Sequence, residues 1–206
     1  MATGIDAIRT GAPVTATGGV LFADSSATLP TDATTDPGEA FAKGGFIGEE
    51  GVTRATDASD EKIRAWGGDT VKVVRSEHSI TYSLEFLEST NADVLKLVHG
   101  DEHVNVDEAG QKVSIEHTAK MPPRKAFILD MLDGDTRIRE VIPDGQLTTS
   151  GEVQFVHSDV IRYAVEIEAF PVDGQVKAFS YMESDSAGND GDDVDNGDDN
   201  GGDSGE

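Results

Sequence analysis

Apolar and polar residues alternate with a period of two from Ile80 to Phe86: Ile80, Tyr82, Leu84 and Phe86 on one face, Thr81, Ser83 and Glu85 on the other. That spacing predicts a strand with one buried face. Val71 to Val74 is a β-branched run just before it, and a further short strand is expected over 14–22, where Val20, Leu21 and Phe22 form the apolar end. Later in the chain, Ile161, Tyr163, Val165, Ile167 and Ala169 alternate with Arg162, Glu166 and Glu168. Three stretches, 104–117, 127–142 and 163–181, each place a turn signal between alternating runs: Ala109-Gly110, Asp133-Gly134 and Asp173-Gly174. Glycine supplies the positive φ that a tight connection needs, so three hairpins are predicted.

The period becomes helical once, over 90–100. Val94, Leu97 and Val98 line one stripe with Leu95 beside it, Thr90 or Asn91 can cap the start, and Gly100 stands where a helix stops. Between 23 and 45 periodicity is lost among two prolines and several Ser, Thr and Asp residues. A loop that long inside a compact domain is usually functional or unstructured, and we read it as an assembly loop whose removal leaves a folded protomer. Many strands, short turns and one helix predict a mainly β protein: an antiparallel β-sandwich or barrel with one packed α-helix. The division expected is an N-terminal arm at 1–13, a β domain at 14–182 and a tail at 183–206.

Charge sharpens that division. The 206-residue chain carries a net −24, and ten of its 40 acidic residues fall between Glu183 and Glu206 with no Lys or Arg among them. The remaining 30 acidic residues (40 less ten) face 16 basic ones in 1–182, a net of −14. An acidic body argues against a surface for duplex DNA, which needs clustered cations to replace counterions on the phosphates. The tail is of low complexity, too poor in apolar area to order itself. Cysteine is absent, which excludes disulfides, thiolate metal sites and cysteine nucleophiles. No apolar run approaches ~18 residues, and the N-terminus lacks the apolar stretch of a signal peptide, so neither membrane insertion nor export is expected.

Little in the chain is arranged for chemistry. His99-Gly-Asp-Glu102-His103 fits the zinc-hydrolase string H-x-x-E-H, but Gly100 is expected to end the helix that would hold both imidazoles on one face. Asp193 and Asp195 start an EF-hand-like spacing, yet Gly197 falls at the fifth position instead of the sixth, so the register fails. Glu166 and Glu168 share a strand face and read as a solvated surface in preference to an acid/base pair. No nucleophile elbow, phosphate loop or aromatic–cation platform is present. An enzyme is not expected, and no cofactor or metal is called for.

The order of these segments is more telling than any one of them. Gly45, Phe46, Ile47, Glu49, Glu50, Gly51, Val52 and Thr53 are followed by Ile63, Ala65, Trp66 and Gly68, then by an alternating strand, then by a helix through Val94 and Leu97 ending in Gly100. This succession resembles the major tail tube proteins of long-tailed siphophages, those of actinobacterial hosts in particular, over roughly residues 14–182. Gly48 departs from the Ser or Thr expected there, and the acidic tail matches no family element. The resemblance implies a β-sandwich with a flanking helix that assembles as a ring, a hexamer, in a virion tail built in the host cytoplasm. Rings would stack around a tape-measure protein, meet tail-terminator and tail-tip proteins, and conduct DNA without binding it specifically. A tail terminator or head–tail completion protein, or another tube-fold ring protein such as the tube of a secretion or contractile machine, shares the fold and is the alternative.

Subunit-contact candidates follow: Phe46, Glu49 and Glu50 in the turn, Leu29, Pro30 and Phe41 in the long loop, and Trp66 with Gly67 and Gly68. The tryptophan is the chain's only one. Strict alternation puts Trp66 on the side of Lys62 and Arg64, opposite Ile63, which suits no monomer core. Either a bulge at Gly67 or Gly68 swings the ring into the protomer core, the reading we favour, or a neighbouring subunit covers it. A ligand platform is the third option.

Overall fold

The computed structural model describes residues 4–107 and 109–184. Its strands, in chain order, are β1 (Ala12–Pro13), β2 (Val20–Asp24), β3 (Ala42–Lys43), β4 (Thr53–Arg64), β5 (Thr70–Phe86), β6 (Val104–Val106), β7 (Val113–Ile115), β8 (Lys125–Asp133), β9 (Thr136–Thr149), β10 (Tyr163–Ala169) and β11 (Phe179–Ser184). The one α-helix among the described residues, α1 (Ala92–His99), lies between β5 and β6. The protein is mainly antiparallel β, as the alternation predicts. Nine strands share one sheet in the order β3-β2-β8-β9-β10-β5-β4, with β1 also on β8 and β11 also on β9. Strands β6 and β7 pair apart from it.

That sheet does not end at β3. The chain passes from β3 across to β5, and its backbone bonds to β2 and to the end of β5: Gly44 N–H donates to the Val20 carbonyl at 2.8 Å, Leu87 N–H to the Phe46 carbonyl at 3.0 Å, and Gly48 N–H to the Glu85 carbonyl at 2.8 Å. Ile47 bridges Phe86 in the same run. Residues 44–48 therefore join β2 to β5 and close the sheet into a barrel-like sandwich, which satisfies backbone groups an open edge would leave bare.

Because successive strand residues point to opposite faces, β2 and β8 serve two cores. Val20, Phe22, Phe127 and Leu129 join Leu84, Phe86, Ile142, Val165 and Ile167 in the larger one. Val94, Leu95, Leu97 and Val98 of α1 pack on it, the stripe expected from the helical period. Leu21, Ala23, Ala126 and Ile128 face the other way, with Val141 and Phe41, into a smaller cluster. Asn91 is the cap of α1, its side chain accepting from the Asp93 and Val94 amides, and Gly100 ends the helix at φ 94°.

Several details differ from the sequence expectation. Residues 14–19 are turn, and the first substantial strand is β2, ending at Asp24. The run at Val71–Val74 and the one at Ile80–Phe86 are a single 17-residue strand. The second hairpin turns on Gly134-Asp135, one residue later than proposed: Asp133 pairs Thr136, and Gly134 has φ 57°. Glycine first with positive φ is the requirement of a type II′ connection, whose twist matches that of the flanking strands. The third stretch is not a hairpin. Both β10 and β11 pair β9, at 145–149 and 136–141 respectively, because a 14-residue strand offers two successive partners along one edge. β11 also runs through Ser184, so Glu183 belongs to the sheet. The acidic tail from residue 185 lies outside the described residues.

Candidate functional site

Strand β5 is bound by β10 only over Thr81–Phe86, whereas β4 follows it out to Arg64. The remainder is a two-stranded arm. Every residue from Thr53 to His78 is exposed. From Asp57 to the tip the arm measures about 30 Å, at roughly 3.3 Å per extended residue. Two extra residues in β5 interrupt the ladder, opposite Ser59/Asp60 and Ile63/Arg64, and such bulges add twist.

Trp66 stands at the apex. Gly68 N–H donates to the Ala65 carbonyl and Ala65 N–H to the Asp69 carbonyl, both at 2.8 Å, so residues 66–68 form the loop. Gly68 has φ 93°, which a side chain would resist, and it closes a three-residue hairpin in the way such loops require. Trp66 is fully exposed at 106%. The core reading of Trp66 is overturned: the bulges lie in β5, and Gly67 and Gly68 make a turn that carries the ring outward. Ile63, Val71, Val73 and Val74 on the same arm are also exposed, at 38–64%.

The arm's root is fixed by a polar cluster. Buried Glu140 of β9 accepts from Arg54 Nη1 at 2.9 and 3.0 Å, from the Tyr82 hydroxyl at 2.9 Å, and from Ser180 Oγ. β4, β5, β9 and β11 thus share one carboxylate. Burial, reinforced by the Glu140 charge, pushes the Tyr82 phenol far above its ordinary range, so it stays a donor.

At the opposite end of β4 lies the turn Gly48–Gly51, closed by Gly51 N–H to the Gly48 carbonyl at 2.9 Å. Glu49 and Glu50 occupy its apex and are exposed. A Cβ at Gly48 would stand 3.2 Å from both Cβ and a carboxylate oxygen of Glu85, so the departure from Ser or Thr has a steric basis. Phe46 is half exposed at 51%. This turn borders a groove of about 450 Å³ whose lining includes Ala12, Pro13, Ile47, Val52 and Met131, with Glu49 and Glu50 at its rim.

The long loop lies on its own protomer. Ala27 and Leu29 pack on the smaller core cluster; Pro30 and Phe41 are buried. Arg139 of β9, 2% exposed, forks onto Asp130, with Nη2 to Oδ2 at 2.8 Å. Its Nη1 donates to the Thr35 and Asp32 carbonyls at 2.6 and 3.2 Å. Glu183 accepts from the Ala33 amide at 2.7 Å and the Thr34 hydroxyl at 3.1 Å. The sheet thereby ties the loop down at both carbonyls and amides. Neither Arg139 nor Glu183 stands out in the sequence, although the register around Gly134 places Arg139 directly opposite Asp130.

The H-x-x-E-H string straddles the end of α1. His99 is the last helical residue, and His103 lies in the 3-10 turn Asp101–His103 and contacts Thr118 Oγ1 at 3.3 Å. His99 instead meets His117 and Tyr163 edge-on, at 5.0 and 5.8 Å between ring centres. Burial, with the neighbouring His117, holds the His99 pKa below its ordinary value. Among the described residues no three His, Asp or Glu side chains are grouped to hold a metal ion. No described helix is long and apolar enough to cross a membrane.

The sequence model of the phage tail tube protein family matches residues 1–191. The chain belongs to that family: it is a structural component of a phage tail, and it assembles into a tube. The comparison with curated proteins returned no match.

Proposed function

We propose that this chain is the major tail tube subunit of a siphophage, that it forms hexameric rings, and that the rings stack around a tape-measure protein. The supporting observation is the β4–β5 arm. A lone two-stranded ribbon is at best marginal in water, and this one also exposes a tryptophan and four β-branched apolar residues. No described residue of the protomer covers it, and in a tube the source of a partner surface is another copy. Phe46, Glu49 and Glu50 join Trp66, Gly67 and Gly68 as contact residues in this reading. Leu29, Pro30 and Phe41 act through the surface of the loop they hold in place. Tail-terminator and tail-tip proteins would cap the two ends, and net acidity suits a lumen along which DNA slides without fixed cationic contacts.

A tail terminator built on the same fold would stop at one ring. Sedimentation velocity of the purified chain over rising concentration separates the two. Species that grow without a plateau are expected, whereas a plateau at a single ring size would assign the chain to the terminator class.

A further inference from the structure

The arm's tip differs in charge from the rest of the molecule. Between Lys62 and Lys72 it carries three cations, Lys62, Arg64 and Lys72, and one acid, Asp69, in a chain with a net charge of −24. Of the 13 other cations (16 less three), seven hold a carboxylate: Arg54, Arg75, Lys120, Arg124, Lys125, Arg139 and Arg162. Lys62, Arg64 and Lys72 make no ion pair among the described residues. An unpaired basic tip with an exposed indole at its apex fits a recess that is apolar inside and acidic at its rim.

The groove beside the Gly48–Gly51 turn has that character. Ala12, Pro13, Ile47, Val52 and Met131 are among its apolar lining, and Glu49 and Glu50 stand exposed at the edge. Its volume of about 450 Å³ lies within the roughly 300–1,000 Å³ typical of pockets that bury an organic group. The groove adjoins the start of β4 and the tip lies beyond its other end, so an arm cannot reach the groove of its own protomer.

We infer that the tip of the β4–β5 arm, from Lys62 to Lys72, docks in this groove on a second copy of the chain. Trp66 is inserted among the apolar residues, and Lys62 and Arg64 sit near Glu49 and Glu50. The inference rests on the tube reading above and names the contact that would carry it. Tip and groove are different surfaces, so the contact is heterologous: each copy offers a free tip and a free groove, and association continues until a ring closes or a filament extends. An aromatic anchor ringed by charges is the arrangement in which a few residues dominate affinity.

Trp66 is the chain's only tryptophan, so the fluorescence of the full chain reports its surroundings directly. Emission typical of water-exposed indole is expected at low concentration. A blue shift and protection from iodide should appear together with polymer as concentration rises. Glu49→Lys with Glu50→Lys alters only exposed positions and should raise the concentration needed for polymer roughly tenfold or more. Adding Lys62→Glu with Arg64→Glu to that variant should restore most of the loss. Polymer that forms with Trp66 still quenched by iodide would overturn the inference and leave the tube reading standing. Charge reversals that do not compensate would do the same. A blue shift already present in the monomer and lost on truncation after Ser184 would give the tip to the chain's own acidic tail instead. No polymer at any concentration would overturn the tube reading, and this inference with it.

Discussion

At the scale of single residues, the molecule separates what it needs to fold from what it offers outward. Arg139 belongs to the first kind. Its guanidinium is 2% exposed, forks onto Asp130 and holds two loop carbonyls. Arg139→Ala strands a buried carboxylate, and we expect a loss of about 3–5 kcal/mol, the usual cost of breaking a buried pair from one side. Chemical denaturation measures it. A loss below about 1 kcal/mol, the range of an exposed pair, would show that the bridge is solvated and does not hold the loop. Trp66 belongs to the second kind, and here sequence reasoning went astray for a definite reason. Alternation alone cannot say where a strand stops, and Ile-Arg-Ala-Trp reads as strand until the turn bonds at Ala65 and Gly68 are seen. Arg139 was hidden for the opposite reason: its partner Asp130 is nine residues away, and only the register set at Gly134-Asp135 brings the two together.

Among elements, what was legible followed how local the determining interactions are. Asn91, the Val94–Val98 stripe and Gly100 mark α1 within a dozen residues, and the helix forms there. Tyr163 to Ala169 alternates as a strand should and buries alternate residues. The sharing of β9 between β10 and β11 was not legible, because the turn at Asp173-Gly174 fits a hairpin as well as it fits the Val172–Val176 turn that forms. Nor was the placement of the long loop, which depends on Arg139 and Glu183 from distant strands. Deleting it would uncover Ile128 and Val141, so the expectation that its loss leaves the protomer intact gives way to one of a destabilised sheet. The arm carries the converse prediction. Every residue of Thr53–His78 is exposed, so replacing 58–76 by a two-residue turn should leave the melting temperature nearly unchanged, as substitutions remote from packed features do. The same variant should sediment only as monomer. Unimpaired polymer would take the arm out of assembly, and a collapse in melting temperature would make it part of the fold.

The whole molecule pairs a closed barrel with one unclosed feature. Residues 44–48 join β2 to β5, so the edges left to a neighbour lie along β11, which pairs only with β9, and along β4 and the arm that extends it. A protomer built this way is satisfied inside and incomplete outside, which is what an assembly subunit requires. Net charge acts in the same direction, since like-charged bodies stay apart until a specific contact overcomes the repulsion. The family assignment, the exposed arm and the acidic body converge on a subunit whose stable form is a polymer of itself. Negative-stain electron microscopy of the purified full-length chain at high concentration tests this most directly. Long hollow tubes of uniform diameter with a regular axial repeat are predicted. A field of single rings, or of dispersed monomers at every concentration reached, would contradict it.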